Sequence, residues 1–345
     1  MTPEENARIN QEEIDSCQVK LRSMPIQFNI DLTGQCNINP PCVFCSQKYD
    51  GYKYAARDIS YVDKYLNFME HCTTVTDCSF GEPLTHPAFI KIMQRVTGNG
   101  QAFTFATNGL LLNKEKADLI VNASSNIGFS ASLNAATPET YFKMTGQKFE
   151  TVINNLQYYI KGYRDKWGHF PPLAFNFIVM RINKEEVLAF LRLAKSLGVG
   201  AVNLRHLFPT AGSPQIRNDF GYKFIYDEEM LSANEYAQIS KESKITAEQL
   251  GLLLRILWEP GGQELIPKKG IPCLYPWHFL LIQEHTQNVY LCCYSDCAIG
   301  NVAKMKLEDI WNGPEIVSIR KNLIAGELPA FCREHGVSCP LIARK

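Results

Sequence analysis

The sequence predicts an α/β fold, a partial (β/α)6 barrel of the TIM type followed by a cysteine-rich C-terminal domain. Three observations predict it. Extended apolar runs alternate with longer amphipathic segments from residue 26 to residue 208, and a repeated strand–helix unit requires right-handed crossovers and a parallel sheet. Turn formers close each extended run. Six of the twelve cysteines fall between 273 and 339, beyond the alternation.

In chain order, the polar, acidic start "MTPEENARINQEEIDSC" gives a helical extension over 1–24. The runs "IQFNIDLT" (26–33), "TTVTDCSF" (73–80), "AFTFATNG" (102–109), "IGFSASLNA" (127–135), "LAFNFIVMRIN" (173–183) and "GAVNLRHLF" (200–208) read as strands, being rich in β-branched and aromatic residues. Between them, "PAFIKIMQRVTGN" (87–99), "FETVINNLQYYIKGYRDKWG" (149–168) and "NKEEVLAFLRLAKSLG" (183–198) carry apolar residues at helical spacing with Gly or Asn near their ends. These elements make a barrel domain over 25–210. "PTAGSPQIRNDFGYKF" (209–224) reads as a surface loop and "SANEYAQISKESKITAEQLG" (232–251) as a helix with a Ser N-cap. They form a connecting segment over 211–266, with a boundary at "EPGGQ" (259–263) or just after it. The remainder, 267–345, is the cysteine-rich domain.

Composition narrows the function. Lys+Arg and Asp+Glu are both 35, which favours neither nucleic acid nor an anionic membrane as partner. No stretch of 18 apolar residues occurs and the N-terminus lacks the apolar core of a signal peptide, so the expected location is the cytoplasm. There, cysteines serve as metal ligands or catalytic groups more often than as disulfides. Cys36, Cys42 and Cys45 follow the first strand in "CNINPPCVFC", three thiols where a disulfide uses two and a closed metal site four. A cuboidal iron–sulfur cluster held by three thiolates keeps one iron for another ligand; a structural zinc site would need a fourth ligand from elsewhere.

The spacing C-x5-C-x2-C with Phe44 resembles the signature of the radical S-adenosylmethionine (SAM) enzymes, although C-x3-C-x2-C is the commoner form. "SFGEPLTHP" (79–87) resembles that family's GGEP motif, with Phe80 in place of the first Gly. The resemblance covers about residues 25 to 210. It implies a [4Fe–4S] cluster on the three cysteines whose open iron chelates SAM. It further implies that Gly81, Glu82 and Pro83 receive the SAM amino group, and that Asn108 lies near the methionine or ribose. Ser132 would face the ribose hydroxyls and Arg181 the carboxylate. The C-terminal region resembles the SPASM/twitch extension through Cys273, Cys292, Gly300-Asn301, Ile310-Trp311-Asn312, Arg320, Cys332 and Cys339. Four of these residues, Cys273, Cys292, Cys332 and Cys339, would hold one auxiliary [4Fe–4S] cluster. A zinc ribbon is the competing reading, though its ligand pairs usually sit two residues apart. Cys293 adjoins a ligand position and is expected to point away as a core thiol. Cys297 is a candidate hydrogen-atom donor or a spare ligand. Cys17, Cys72 and Cys78 are isolated and read as structural.

What the resemblance implies is a one-electron chemistry. A flavodoxin- or ferredoxin-type reductant feeds the first cluster, SAM is cleaved to methionine and a 5′-deoxyadenosyl radical, and the radical abstracts a substrate hydrogen atom. Net oxidation (dehydrogenation) of a small polar molecule such as a sugar or cyclitol is the leading expectation, because only about 25 residues precede the first strand where many peptide-modifying relatives carry a peptide-binding domain. A peptide maturase that cross-links or epimerises a residue is the alternative, and a non-enzymatic two-cluster electron carrier the alternative from another class.

Overall fold

The computed structural model describes residues 1–45, 60–207, 216–257, 270–283, 285–336 and 339; Phe208, the first part of the expected surface loop and the "EPGGQ" boundary lie outside the described residues. The expected strands are present as β1 (Gln27–Asp31), β2 (Thr74–Asp77), β3 (Ala102–Thr107), β4 (Ile127–Ser132), β5 (Leu173–Val179) and β6 (Ala201–His206). Each stops short of its apolar run, because residues such as Ser79, Asn108, Asn134 and Asn183 turn out of the ladder to bond backbone or side chains of neighbouring loops.

Further along lie β7 (Ile216–Asp219), β8 (Tyr222–Ile225), β9 (Leu253–Ile256), β10 (Phe279–Gln283), β11 (Asn288–Tyr290) and β12 (Gly300–Asn301). All but β7 and β8 join one sheet in the order β12, β11, β10, β1, β2, β3, β4, β5, β6, β9. The array from β10 through β9 is parallel throughout, so the partial barrel gains one parallel strand at each side of the expected six. Two readings change here. The cysteine-rich region supplies β10 to the barrel sheet instead of folding apart from it, and 216–225 is a hairpin, not a loop.

The helices are α1 (Pro3–Asp15), α2 (Ser60–Met69), α3 (Phe89–Gly98), α4 (Lys114–Ala123), α5 (Pro138–Thr145), α6 (Phe149–Trp167), α7 (Val187–Leu197), α8 (Tyr226–Glu229), α9 (Ala233–Leu250), α10 (Tyr275–His278), α11 (Leu307–Trp311), α12 (Pro314–Ile324) and α13 (Ala330–His335). Strand alternation sends Phe103, Phe105, Phe129, Phe175 and Phe177 to the helical side, where they are buried. Phe105 stacks on Phe129 at 5.0 Å, Phe129 meets Tyr159 of α6 at 4.8 Å, and Phe177 meets Phe190 of α7 at 4.7 Å. Such aromatic pairs add about 0.5–1.5 kcal/mol each beyond the area they bury. The other face is polar. Thr76 and Thr104 share a hydroxyl bond of 2.7 Å, and Asn203 donates to Asn176, which donates to Ser130, both at 2.9 Å.

The expected helical extension is α1, capped by Thr2. Its buried face is polar and acts as a joint: Asn6 donates to the Met24 and His71 carbonyls, Asn10 to the Trp277 carbonyl and Ser23, and Glu13 accepts from Ser23 and Arg22. The Ser232 N-cap of α9 is completed by Glu235 in a capping box. Among the described residues, no helix is long and apolar enough to cross a membrane.

Candidate active site

The cysteine loop leaves β1 and is tied down by its neighbours. Ser79, after β2, accepts from the Leu32 and Thr33 amides at 2.9 and 3.0 Å and donates to Asp77 at 2.6 Å. The Gly81 amide donates to Thr33 and the Glu82 amide to Gln35. A β-carbon on Gly81 would lie 2.1 Å from the Gln35 carbonyl oxygen. Glycine is therefore required here by the chain's own backbone, whatever ligand approaches.

Glu82 is buried, and its carboxylate accepts from Thr107 Oγ1 (2.7 Å), the Asn108 amide (2.7 Å) and the Leu84 amide (3.1 Å). Burial lifts it to about 7, the three donors pulling the other way. Its role in this structure is to join the ends of β2 and β3, while Pro83 is buried and opens a short helical turn. Asn108 reaches back, donating to Asn37 Oδ1 at 2.8 Å with Cys36 Sγ at 3.8 Å.

Cys36, Cys42 and Cys45 lie within electrostatic reach of one another. Burial pushes the Cys36 thiol up to about 11, with Glu82 and Cys45 adding to it. Burial also pushes Cys42 up, and Cys45 and Cys36 add to it. Three thiols on one short loop are a donor set that suits a cuboidal cluster, which spreads its ligands over the faces of a larger body. Phe44 packs with Val43, Met144, Met180, Leu207 and Phe224 beside the loop.

Arg217, on the hairpin read as loop, was missed. It is buried and donates to the Cys42 and Cys45 carbonyls. The signal available was "DFGY": Phe220 and Gly221 both take positive φ, the two-residue turn that closes a hairpin.

Ser132 ends β4 on the concave face, in register with Asn176. Arg181 is placed differently from the expectation. Its guanidinium pairs with Glu235 at 3.0 Å and donates to the Glu228 and Met230 carbonyls, which fastens β5 to the start of α9; a carboxylate of SAM would have to compete with that network.

In the C-terminal region the structure gathers five thiols. Cys273 is pushed up to about 12 by burial, then by Cys332, Cys339 and Cys293. Cys292 is raised by burial and by Cys293, Cys273 and Cys332, and Cys332 is raised to about 11 by burial and Cys339. Cys293 is no core thiol. It is solvent-exposed, receives the Tyr275 hydroxyl, and lies in reach of Arg205 on β6 and of Cys78 after β2. Cys78 is accordingly not isolated. The Cys297 thiol donates to the Ala298 carbonyl at 3.6 Å.

The family pattern around these thiols has a structural use. Trp311 donates to the Ser23 carbonyl, Asn312 bonds Leu21 through both amide atoms, and buried Arg320 stacks on Trp311 while donating to the Pro276 and Val19 carbonyls. Gly300 leaves room for Ile310, whose side chain would meet a β-carbon at 2.7 Å.

The model of the Radical SAM superfamily matches residues 30–194, and that of an iron–sulfur cluster-binding domain, SPASM, matches 273–340. The chain is 32% identical over 188 residues to a probable GTP 3′,8-cyclase of Saccharolobus islandicus, covering 53% of this chain and 57% of that protein. It thus spans a little over half the length of that relative. It is 26% identical over 333 residues to the AdoMet-dependent heme synthase of Methanosarcina barkeri, covering 91% and 89% of the two chains. Two solved structures share the fold: Streptococcus suis SuiB bound to S-adenosylmethionine, at a TM-score of 0.68 and 13% identity over 92% of this chain and 72% of that one, and anSMEcpe with bound AdoMet, at 0.61 and 13% over 93% and 95%.

Proposed function

This chain belongs to the radical SAM superfamily and carries a C-terminal SPASM domain, and from that premise we propose that it is an oxidoreductase removing two hydrogens from a small polar substrate, such as a sugar or cyclitol, held on the concave face. A [4Fe–4S] cluster with SAM supplies cleavage of SAM and removal of a hydrogen atom from an unactivated C–H bond, and an auxiliary cluster supplies an electron acceptor. Cys36, Cys42 and Cys45 would hold the first and Cys273, Cys292, Cys332 and Cys339 the second. Asn108 orients Cys36, Arg217 fixes the loop carbonyls, and Glu82 keeps the strand ends in register. The polar wall of Thr76, Thr104, Ser130, Asn176 and Asn203 offers hydroxyl and amide groups to a hydroxylated substrate, and the curled sheet keeps water from the reacting atoms.

One observation carries the reading. Cys293, beyond β11, lies within electrostatic reach of Cys78 after β2 and of Arg205 on β6, which supports a C-terminal thiol group facing the strand ends of the barrel sheet. A flavodoxin- or ferredoxin-type protein would deliver the electron, in the reducing cytoplasm that suits twelve free cysteines.

The test is anaerobic turnover with SAM and dithionite. The parent chain should release 5′-deoxyadenosine and a Cys36→Ala/Cys42→Ala/Cys45→Ala variant none; a carrier of electrons alone would release none in either. Product two hydrogens lighter than substrate supports oxidation. Deuterium taken from D2O at unchanged oxidation level, lost in Cys297→Ala, would make the reaction an epimerisation instead, and a peptide mass change would mark a maturase. The likeness to the AdoMet-dependent heme synthase across nine-tenths of both chains favours a second reading, AdoMet-dependent synthesis of heme, checked by heme absorbance in the same assay.

A further inference from the structure

The concave wall beside the C-terminal thiols carries positive charge that no carboxylate of the described residues pairs with. Arg205 is solvent-exposed, yet burial by surrounding protein lowers its affinity for a proton. Both hold for a side chain at the base of a concave surface: water reaches it and protein encloses it. The titratable groups beside it are the Cys293 thiol and the Tyr294 hydroxyl, both held neutral by burial. Arg255 stands opposite Asn203 in the parallel pairing of β6 and β9, and paired residues share a face. Among the described residues, neither Arg205 nor Arg255 has a carboxylate within ion-pair distance.

Other arginines of this region are engaged. Arg217 holds the Cys42 and Cys45 carbonyls, Arg320 those of Val19 and Pro276, and Arg181 the Glu235 carboxylate. Just below Arg205, the Ser130–Asn176–Asn203 relay ends in a buried Asn203 Oδ1 that has no hydrogen-bond partner among the described residues.

We propose that Arg205 binds a carboxylate of the substrate, with Arg255 adding positive potential from the neighbouring strand. The inference rests on the reading of the concave face as the reaction chamber and narrows its substrate to an acidic one. A single planar guanidinium matches a carboxylate in bidentate fashion. Phosphate sites usually add free backbone amides at a helix N-terminus, whereas β6 is laddered on both sides, by β5 and β9. The carboxylate would thereby be anchored between the sheet and the C-terminal thiols, fixing which carbon faces the first cysteine loop.

The test is arginine footprinting of the reconstituted full chain with phenylglyoxal, mapped by peptide mass spectrometry. Glutarate should slow modification of Arg205 about fivefold at a concentration some four times its dissociation constant, leaving exposed Arg192 unaffected. Neutral glutaramide should not protect. Better protection by a capped glutamyl peptide than by glutarate indicates a peptide-borne carboxylate, and the reverse a free acid; either supports the inference. An Arg205 that never reacts, reacts equally with and without glutarate, or is protected better by inorganic phosphate overturns it. Calorimetric glutarate binding should fall at least tenfold in Arg205→Gln and be partly retained in Arg205→Lys; unchanged binding in Arg205→Gln also overturns it. The two readings fail separately. Release of 5′-deoxyadenosine without glutarate protection removes only the carboxylate site, and protection without 5′-deoxyadenosine removes only the proposed reaction.

Discussion

At Gly81 a single methyl group decides whether the cysteine loop can sit on the turn after β2, since a β-carbon would lie 2.1 Å from a backbone oxygen that cannot swing away. Overpacking of this kind costs about 1–3 kcal/mol. Gly81→Ala should lower the denaturation midpoint and cut the iron bound on reconstitution to about half of some eight atoms per chain, two four-iron clusters becoming one. Iron analysis with a denaturant melt checks both. Asp77 gives a pH signature. Burial lifts it to about 7, and the Asp31 charge adds to that. The folded chain thus keeps a proton that the unfolded chain has released, so the stabilisation is full below the ordinary Asp range and is lost as pH rises through about 7. The slope is at most about 1.4 kcal/mol per pH unit for one proton, and Asp77→Asn should flatten it in urea melts of the cluster-free chain.

At the scale of elements, the β7–β8 hairpin is a clamp on the cysteine loop. Arg217→Gln removes two charge-assisted bonds to the Cys42 and Cys45 carbonyls, each worth about 1.5–3 kcal/mol. The signal of the first cluster in electron paramagnetic resonance and the yield of 5′-deoxyadenosine should both fall, by about tenfold or more for the latter if one such bond's worth of loop order is lost, while the C-terminal cluster stays loaded. Arg217→Lys should restore part of each. The strands of the hairpin and β9 carry four residues each, too few to show alternation by themselves, and the DFGY turn is the one local sign of the hairpin. Their partners in space, not their composition, make them strands. The long helices α6, α7 and α9 were legible because each has several turns of apolar spacing and a glycine at its C-terminus.

Across the whole molecule, the cysteine-rich region and the barrel share one sheet through β10 and β1, and α1 with the 16–24 linker bonds both. Calorimetry should show both regions unfolding in one transition. Arg320→Met leaves the Val19 and Pro276 carbonyls without their donor and should cost about 3 kcal/mol, two charge-assisted bonds at the lower end of their range. Two separated transitions in the parent chain would show the regions to be independent. Cys292→Ala, which removes a thiol and leaves β10 paired, should still yield 5′-deoxyadenosine but no product, as mass spectrometry of the mixture would show.

The sequence by itself determined the six-strand alternation, the two cysteine groups and the motifs that follow each strand, because period and spacing are local properties that a chain carries unfolded. It also carried the IWN segment and Arg320, though not their use. Only the tertiary structure decided that Gly81 answers to Gln35, that Arg181 belongs to the α9 cap, that Cys293 turns toward Arg205 and Cys78, and that Arg217 grips the cysteine loop. Each of these joins residues far apart in the chain, and such contacts exist only once the sheet curls and brings its opposite edges together.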